Sequence, residues 1–286
     1  MKFTIGICTF NRNDILKRTL DSIIDWIPHE KIQLIIADNN STDDTKNTVL
    51  KFIDSNTKIE ILYLPVIQQG LSHARNIVLD NAKYNYVIFL DDDAVLCSDI
   101  VTEYESAVVN NPHCHIFGGR VIKDDKTIIP TWFSKEFHML YSLLDIGSDT
   151  IPFPSKLGPI GANLLVNTDK INGLRFRTDL GRVGNNLASG EETDFLYRIG
   201  FNRDNSLYVG KAKVYHCFPE CRYTKEWAYE RFKYNGISNR KLRVTKYTIL
   251  YGFLSECFQF LKSFRSLNPT YIKSRFYSLF FYIKGN

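Results

Sequence analysis

The sequence predicts an α/β fold, with a mostly parallel central sheet flanked by helices and a C-terminal helical extension. Three observations point to it. Up to residue 96, short apolar runs rich in β-branched residues alternate with amphipathic stretches in a β-α-β-α-β-α-β order. Three of the runs end in polar clusters, at residues 11–13, 38–40 and 91–93, where the strand ends of such a sheet bind ligands. Residues 240–286 then change character, with nine Lys/Arg, twelve aromatics and a single acid, Glu256.

Residues 4–10 read as the first strand, closed by Asn11-Arg12-Asn13. Leu16, Leu20, Ile23, Ile24 and Ile27 follow as one buried helical stripe. Residues 33–37 form the second strand and end on Asp38-Asn39-Asn40; Ser41-Thr42-Asp43-Asp44 has the pattern of a capping box opening the second helix. A third strand covers 58–64, and a helix around Ala74, Ile77 and Val78 leads to the fourth, Tyr86-Val87-Ile88-Phe89-Leu90. No GxGxxG follows the first strand, which disfavours a dinucleotide-binding fold.

The fourth strand runs into Asp91, Asp92 and Asp93. Adjacent carboxylates repel, so at a buried strand end they make sense around a divalent cation such as Mg²⁺ or Mn²⁺, which takes oxygen ligands and shares them with substrate phosphates. Side-chain alternation points Asp91 and Asp93 one way and Asp92 the other. An acidic loop without a ligand is the bland alternative.

At 286 residues and 44% hydrophobic, the chain can bury a full core. The N-terminus leads directly into strand, so no signal peptide is expected, and no apolar run is long enough to span a membrane. Six scattered cysteines without a CxxC pair fit a reducing cytosol. The formal charge of +5 is concentrated in the tail, and the remainder is mildly acidic; nucleic acid is not an expected partner.

Four pieces together carry a resemblance: residues 7–12 (Ile-Cys-Thr-Phe-Asn-Arg), 37–43 (Ala-Asp-Asn-Asn-Ser-Thr-Asp), 70–76 (Gly-Leu-Ser-His-Ala-Arg-Asn) and 89–93 (Phe-Leu-Asp-Asp-Asp). In this order and spacing they resemble the family 2 glycosyltransferases of GT-A fold, over roughly residues 3–235. The resemblance implies that Thr9, Phe10, Arg12, Asp38 and Asn39 contact the base and ribose of a nucleotide sugar, a UDP-sugar being favoured, with Arg75 nearby. It implies that Asp92 faces the ribose and that Asp93, with or without Asp91, holds the metal on the diphosphate. Asn39 departs from the family's common Asp-Asp pair and puts the nucleotide in question. Thr9, Arg12 and Asn39 equally suit loop capping.

Residues 123–156 read as a loop-rich acceptor-side segment whose aromatics suit core packing better than sugar stacking. Residues 158–166 are similar to the family's strand lining the acceptor pocket. Gly190-Glu191-Glu192-Thr193-Asp194-Phe195 resembles the family's element that supplies the catalytic base from a helix start, with Glu192 in the position of the usual Asp and Glu191 in reserve. An acid-rich first turn is also ordinary helix-dipole chemistry, and Asp194 and Arg198 can simply pair. His216 closes a further strand; several GT-A enzymes place a metal- or diphosphate-binding His there, while a structural His is the commoner case.

The expected organisation is a donor-binding half over 1–120, an acceptor-side half over 121–222 and a basic aromatic helical tail over 223–286. Leu250, Phe253, Leu254, Cys257, Phe258 and Leu261 form one helical stripe in that tail. Packing on its own domain and lying on a membrane surface stand as equal readings.

The function expected is metal-dependent, inverting transfer from a nucleotide sugar to a hydroxyl of a glycan or lipid-linked acceptor, in surface polysaccharide synthesis. The location expected is cytoplasmic, with a peripheral membrane contact as the open question. Two alternatives stand beside it. Asp91-Asp92-Asp93-Ala94-Val95-Leu96 also fits the nucleophile motif of haloacid-dehalogenase-like phosphatases, although that motif normally lies on the first strand. A transferase-like protein that binds without turnover is the other.

Overall fold

The computed structural model describes residues 1–285 except Thr127 and Lys156, which fall in the loop-rich segment, and Val244; with Asn286, these lie outside the described residues. The four expected strands are β1 (Phe3–Thr9), β2 (Ile32–Asp38), β3 (Glu60–Pro65) and β4 (Tyr86–Asp91). They lie side by side in the order β3-β2-β1-β4, all parallel. Between them run α1 (Asn13–Trp26), α2 (Thr45–Ser55) and α3 (Leu71–Asn81). The registers place Thr9 beside Asp38 and Cys8 beside Asp91, so the polar strand ends form one row.

The parallel pattern stops at β4. A short β5 (Ala94–Leu96) precedes α4 (Ile100–Asn110), β6 (Ile116–Lys123), β7 (Thr150–Pro152) and β8 (Asn163–Asn167). Then come α5 (Glu191–Arg198) and a long β9 (Ser206–His216). β8 inserts antiparallel between β4 and β6; β9 runs parallel to β6 and pairs antiparallel with β5 and β7. The sheet is therefore mixed beyond β4.

Apolar layers cover both faces. Leu16, Leu20, Val49, Phe52, Val101 and Tyr104 bring α1, α2 and α4 onto one face. Ala74, Val78, Phe195 and Leu196 bring α3 and α5 onto the other. Gly6 lets α3 approach closely, since a Cβ there would collide with Val78. The aromatics of 123–156 do pack as core: Phe133, Phe137 and Tyr141 form a cluster with Phe218, Tyr223 and Phe232.

The capping box expected at 41–44 does not form. Asp44 makes no side-chain cap on α2. The Asp43 carboxylate instead accepts the Thr45 N–H at 3.1 Å and the Asn13 N–H at 3.2 Å, joining the loops after β1 and β2. Asn11 and Asn40 take left-handed backbone at φ 51 and 65, which Asn tolerates better than most residues.

The tail forms three helices, α6 (Lys225–Lys241), α7 (Lys246–Ser263) and α8 (Pro269–Lys284), with α8 packed against both others. Of the stripe on α7, Leu250, Leu254, Phe258 and Leu261 are exposed, while Phe253 and Cys257 are half-buried. No helix among the described residues is long and apolar enough to cross a membrane.

Candidate functional site

The row of strand ends opens onto a cavity of about 340 Å³ whose wall carries Thr9, Phe10, Arg12, Asn39, Arg75, Asp91, Asp92, Asp93, Glu191, Glu192 and His216. Every candidate from the sequence except Asp38 is on that wall. Asp38 is buried, and its carboxylate accepts from the Ser41 N–H at 2.9 Å and the Tyr63 hydroxyl at 2.6 Å.

Asp91, Asp93 and His216 converge, each offering a ligand atom within 4.8 Å of the others. β5 causes this: Ala94 pairs with His216 across the β5–β9 ladder, and the Cys217 N–H donates to the Asp93 carbonyl at 2.8 Å. His216 Nε2 stands 2.8 Å from Asp93 Oδ1 and 3.8 Å from Asp91 Oδ2. The close approach lacks hydrogen-bond alignment. Asp93 Oδ1 and both His216 ring nitrogens are buried without a hydrogen-bond partner among the described residues. Buried polar atoms rarely stay unpaired, and two carboxylates with an imidazole suit Mn²⁺ or a similar cation, so the residues fit a metal.

The other Asp93 oxygen is satisfied by cations of the chain. Arg12 forks across the triplet, 2.7 Å from Asp92 and 2.6 Å from Asp93, and Arg222 reaches Asp93 at 3.3 Å. Burial disfavours the charged form of Asp93, but His216, Arg12 and Arg222 outweigh it and hold the carboxyl well below the usual range. Asp92 accepts from Thr9 at 2.9 Å, yet burial wins there and pushes it up to about 6. Asp92 and Asp93 lie in a turn just past the end of β4, not in the extended strand that side-chain alternation assumed.

Across the cavity, α5 starts at Gly190, whose φ of 100 turns the chain so that Glu191 and Glu192 open the helix. Arg75 from α3 clamps both, its two terminal nitrogens 2.8 Å from Glu191 and 2.8 Å from Glu192. The nitrogen on Glu192 is also 3.7 Å from Asp91. The acid triplet and the glutamate pair are thus one guanidinium apart. The Glu192 side chain keeps 25% of its surface open, against 3% for Glu191. Burial and then the Glu192 charge push Glu191 up to about 7, whereas Arg75 overcomes burial and lowers Glu192. Gly161, just before β8, makes room: a Cβ there would collide with the Glu192 carboxylate and the Arg75 guanidinium. Asp194 pairs with Arg198 at 2.6 Å, the structural role anticipated for it.

Sequence reasoning missed Arg182, Arg222, Trp227 and Arg231, which all line the cavity. Burial pulls Arg231 down to about 10, with Arg182 adding repulsion. No local motif marks these residues. Trp227 and Arg231 lie on α6, inside what the sequence shows only as a basic tail.

The sequence pattern of the family described as Glycosyl transferase family 2 matches residues 4–175. Succinoglycan biosynthesis protein ExoM of Rhizobium meliloti is 27% identical over 251 residues, covering 85% of this chain and 75% of ExoM. A Campylobacter jejuni protein, GalNAc(5)-diNAcBac-PP-undecaprenol beta-1,3-glucosyltransferase, is 30% identical over 136 residues, 48% of this chain and 42% of its own length. Among solved structures, mannosyltransferase PcManGT from Pyrobaculum calidifontis, in complex with GDP-Man and Mn²⁺, superposes with a TM-score of 0.66 at 14% identity, over 99% of this chain and 86% of that one. S. aureus TarS in complex with UDP-GlcNAc superposes with a TM-score of 0.57 at 17% identity, over 87% and 70%. These structural likenesses establish a fold of GT-A type.

Proposed function

We propose, for a chain that belongs to glycosyl transferase family 2 and is therefore a glycosyltransferase, that it moves a sugar from a nucleotide-sugar donor to a hydroxyl of a glycan or lipid-linked acceptor with inversion. The observation that carries this reading is the pairing of two unlike acid clusters across Arg75. One has buried ligand atoms left for a cation, and the other presents a partly open carboxylate.

In this reading residues 1–120 take the donor. Thr9, Phe10, Arg12 and Asn39 bind the nucleoside end, with Asp92 toward the ribose and Asp38 bracing the loop through Ser41 and Tyr63. Asp91, Asp93 and His216 would hold Mn²⁺ or Mg²⁺, which supplies positive charge against a departing diphosphate. Residues 121–222 shape the acceptor side. Glu192 accepts the proton of the acceptor hydroxyl as its oxygen bonds to the anomeric carbon, and the electron pair of the breaking bond leaves with the diphosphate. Arg75 keeps Glu192 ionised and oriented.

A UDP-sugar is the favoured donor, although the fold neighbours include both a GDP-Man and a UDP-GlcNAc complex. Surface polysaccharide synthesis is supported by the succinoglycan relative, and a lipid-linked acceptor by the undecaprenol-named one. The family match leaves the phosphatase reading of Asp91 without support.

The test is a thermal-shift screen against UDP, GDP, CDP and their sugars, with and without Mn²⁺. A ligand bound only by the folded protein raises its melting temperature. A metal-dependent shift with one nucleotide is expected, followed by transfer from its sugars. Absence of any shift would remove the donor reading.

A further inference from the structure

The last two helices are built inside out. On α8 the buried positions are Thr270, Ser274, Ser278 and Tyr282, four apart and on one face. On α7 they are Gly252, Glu256 and Ser263. Small side chains let the helices close up: a Cβ on Gly236 of α6 would collide with the Ser278 carbonyl. The buried Glu256 carboxylate accepts from the Asn239 amide at 2.7 Å and from the Ser278 hydroxyl at 2.9 Å. Small residues with polar cross-links form the kind of helix contact used where the surroundings are themselves apolar.

The apolar residues face outward instead. Leu250, Leu254, Phe258 and Leu261 on α7 are 56–67% exposed, and Phe276 and Phe280 on α8 about half exposed. The two helices share one apolar surface, since the Phe260 and Phe276 rings meet across them at 6.0 Å and continue to Phe264 and Phe280. An exposed patch of this kind marks a docking surface.

Charge identifies what docks. Lys246, Lys262, Arg265, Lys273 and Lys284 of the same two-helix hairpin are exposed, and the one acid of residues 240–286, Glu256, is buried. A second copy would bring these cations against themselves. A bilayer carrying anionic headgroups complements both the apolar face and the cations.

We propose that the outer face of α7 and α8 lies on the surface of an anionic lipid bilayer. The hairpin is tied to the catalytic body, since the Asn268 side chain donates to the Trp132 carbonyl at 2.7 Å and to the Ser134 hydroxyl at 3.1 Å. That segment leads to Tyr141 on the cavity wall, and α6, packed on α8, carries Trp227 and Arg231 there. Docking therefore sets the height of the cavity above the lipid; its use for a lipid-linked acceptor rests on the proposed function, whereas the lipid contact does not.

The experiment is co-sedimentation of the full chain with vesicles of phosphatidylcholine alone or mixed with phosphatidylglycerol. Binding to the mixed vesicles, weakened by salt, is expected. Phe258→Ser with Leu261→Ser, and separately Lys262→Glu with Arg265→Glu, should each weaken it by about tenfold or more. Both pairs are exposed, and circular dichroism and the nucleotide thermal shift should match the wild type. Equal binding to both vesicle types, no binding by the wild type, or wild-type binding by either variant overturns the proposal. So does a dimer in size-exclusion chromatography that the Phe258/Leu261 variant dissociates. Vesicle binding without any nucleotide shift would defeat the donor reading alone.

Discussion

Two clusters of buried carboxylates face each other across one guanidinium, and they handle charge in opposite ways. Around Asp93, Arg12 and Arg222 occupy one oxygen, while Oδ1 and the His216 nitrogens have no hydrogen-bond partner among the described residues. Around Glu191 and Glu192, Arg75 reaches both carboxylates directly. In the proposed function a cation from solution completes the first cluster. The second carries its cation in the chain, and the exposed edge of Glu192 is the group the proposed function uses for proton transfer. If the proposed function holds, binding and proton transfer belong to different clusters, and substitutions should separate them.

The largest effect is expected from Asp93→Asn, which removes charge from the metal end. Transfer should fall by about 10⁴-fold, and the metal-dependent part of the nucleotide thermal shift should vanish. A shift that persists would put the cation elsewhere. Glu192→Gln should lower kcat by about 10³-fold while leaving that shift intact, which a single-turnover assay beside the thermal screen can read. Loss of both together would merge the two clusters into one.

Arg75→Met tests the clamp itself. Leaving the buried Glu191 and the partly open Glu192 without their cation should cost about 3–5 kcal/mol, measured by urea unfolding. A stability near wild type would mean that the glutamates have another partner. His216→Ala should raise the metal concentration for half-maximal activity by about 10–100-fold, the size of effect seen even for residues that only support a ligand. An unchanged requirement would leave the two carboxylates as the whole site.

The smallest effect concerns pH. Burial and the Glu192 charge raise Glu191 from 4.5 to about 7 in the folded protein. A raised carboxyl stabilises the fold below its ordinary value, and the contribution is lost as pH rises through about 7. In metal-free buffer, the wild-type melting temperature should therefore drop relative to Glu191→Gln as pH climbs through that window. A constant difference between the two would show that Glu191 is not held in a proton-favouring site.

Much of the donor half could be read directly. The β-α alternation, the acid triplet at the end of β4 and the glutamates opening α5 are all written in residues close together in the chain. Other features could not be read that way. Asp38 has the position of a ligand residue; that Tyr63 also donates to its carboxylate follows only from β2–β3 pairing. Arg222, at the end of the expected acceptor-side half, and Arg231, in the expected tail, show no sign of a site until a short 3-10 turn and α6 bring them to the cavity. The stripe on α7 has the period of a core-facing helix, yet four of its six residues are exposed because Glu256, Gly252 and Ser263 take the inner side.

The sequence by itself determined the elements and the chemistry available at their ends, because hydrophobic period and strand-end polarity act over a few residues. Only the tertiary structure decided which of those groups meet. His216 joins Asp93 because β9 pairs with β5, and Arg75 joins Glu191 because α3 packs beside α5 at Gly161. Such meetings span more than 100 residues, and they depend on the whole sheet closing in register, which no local pattern encodes.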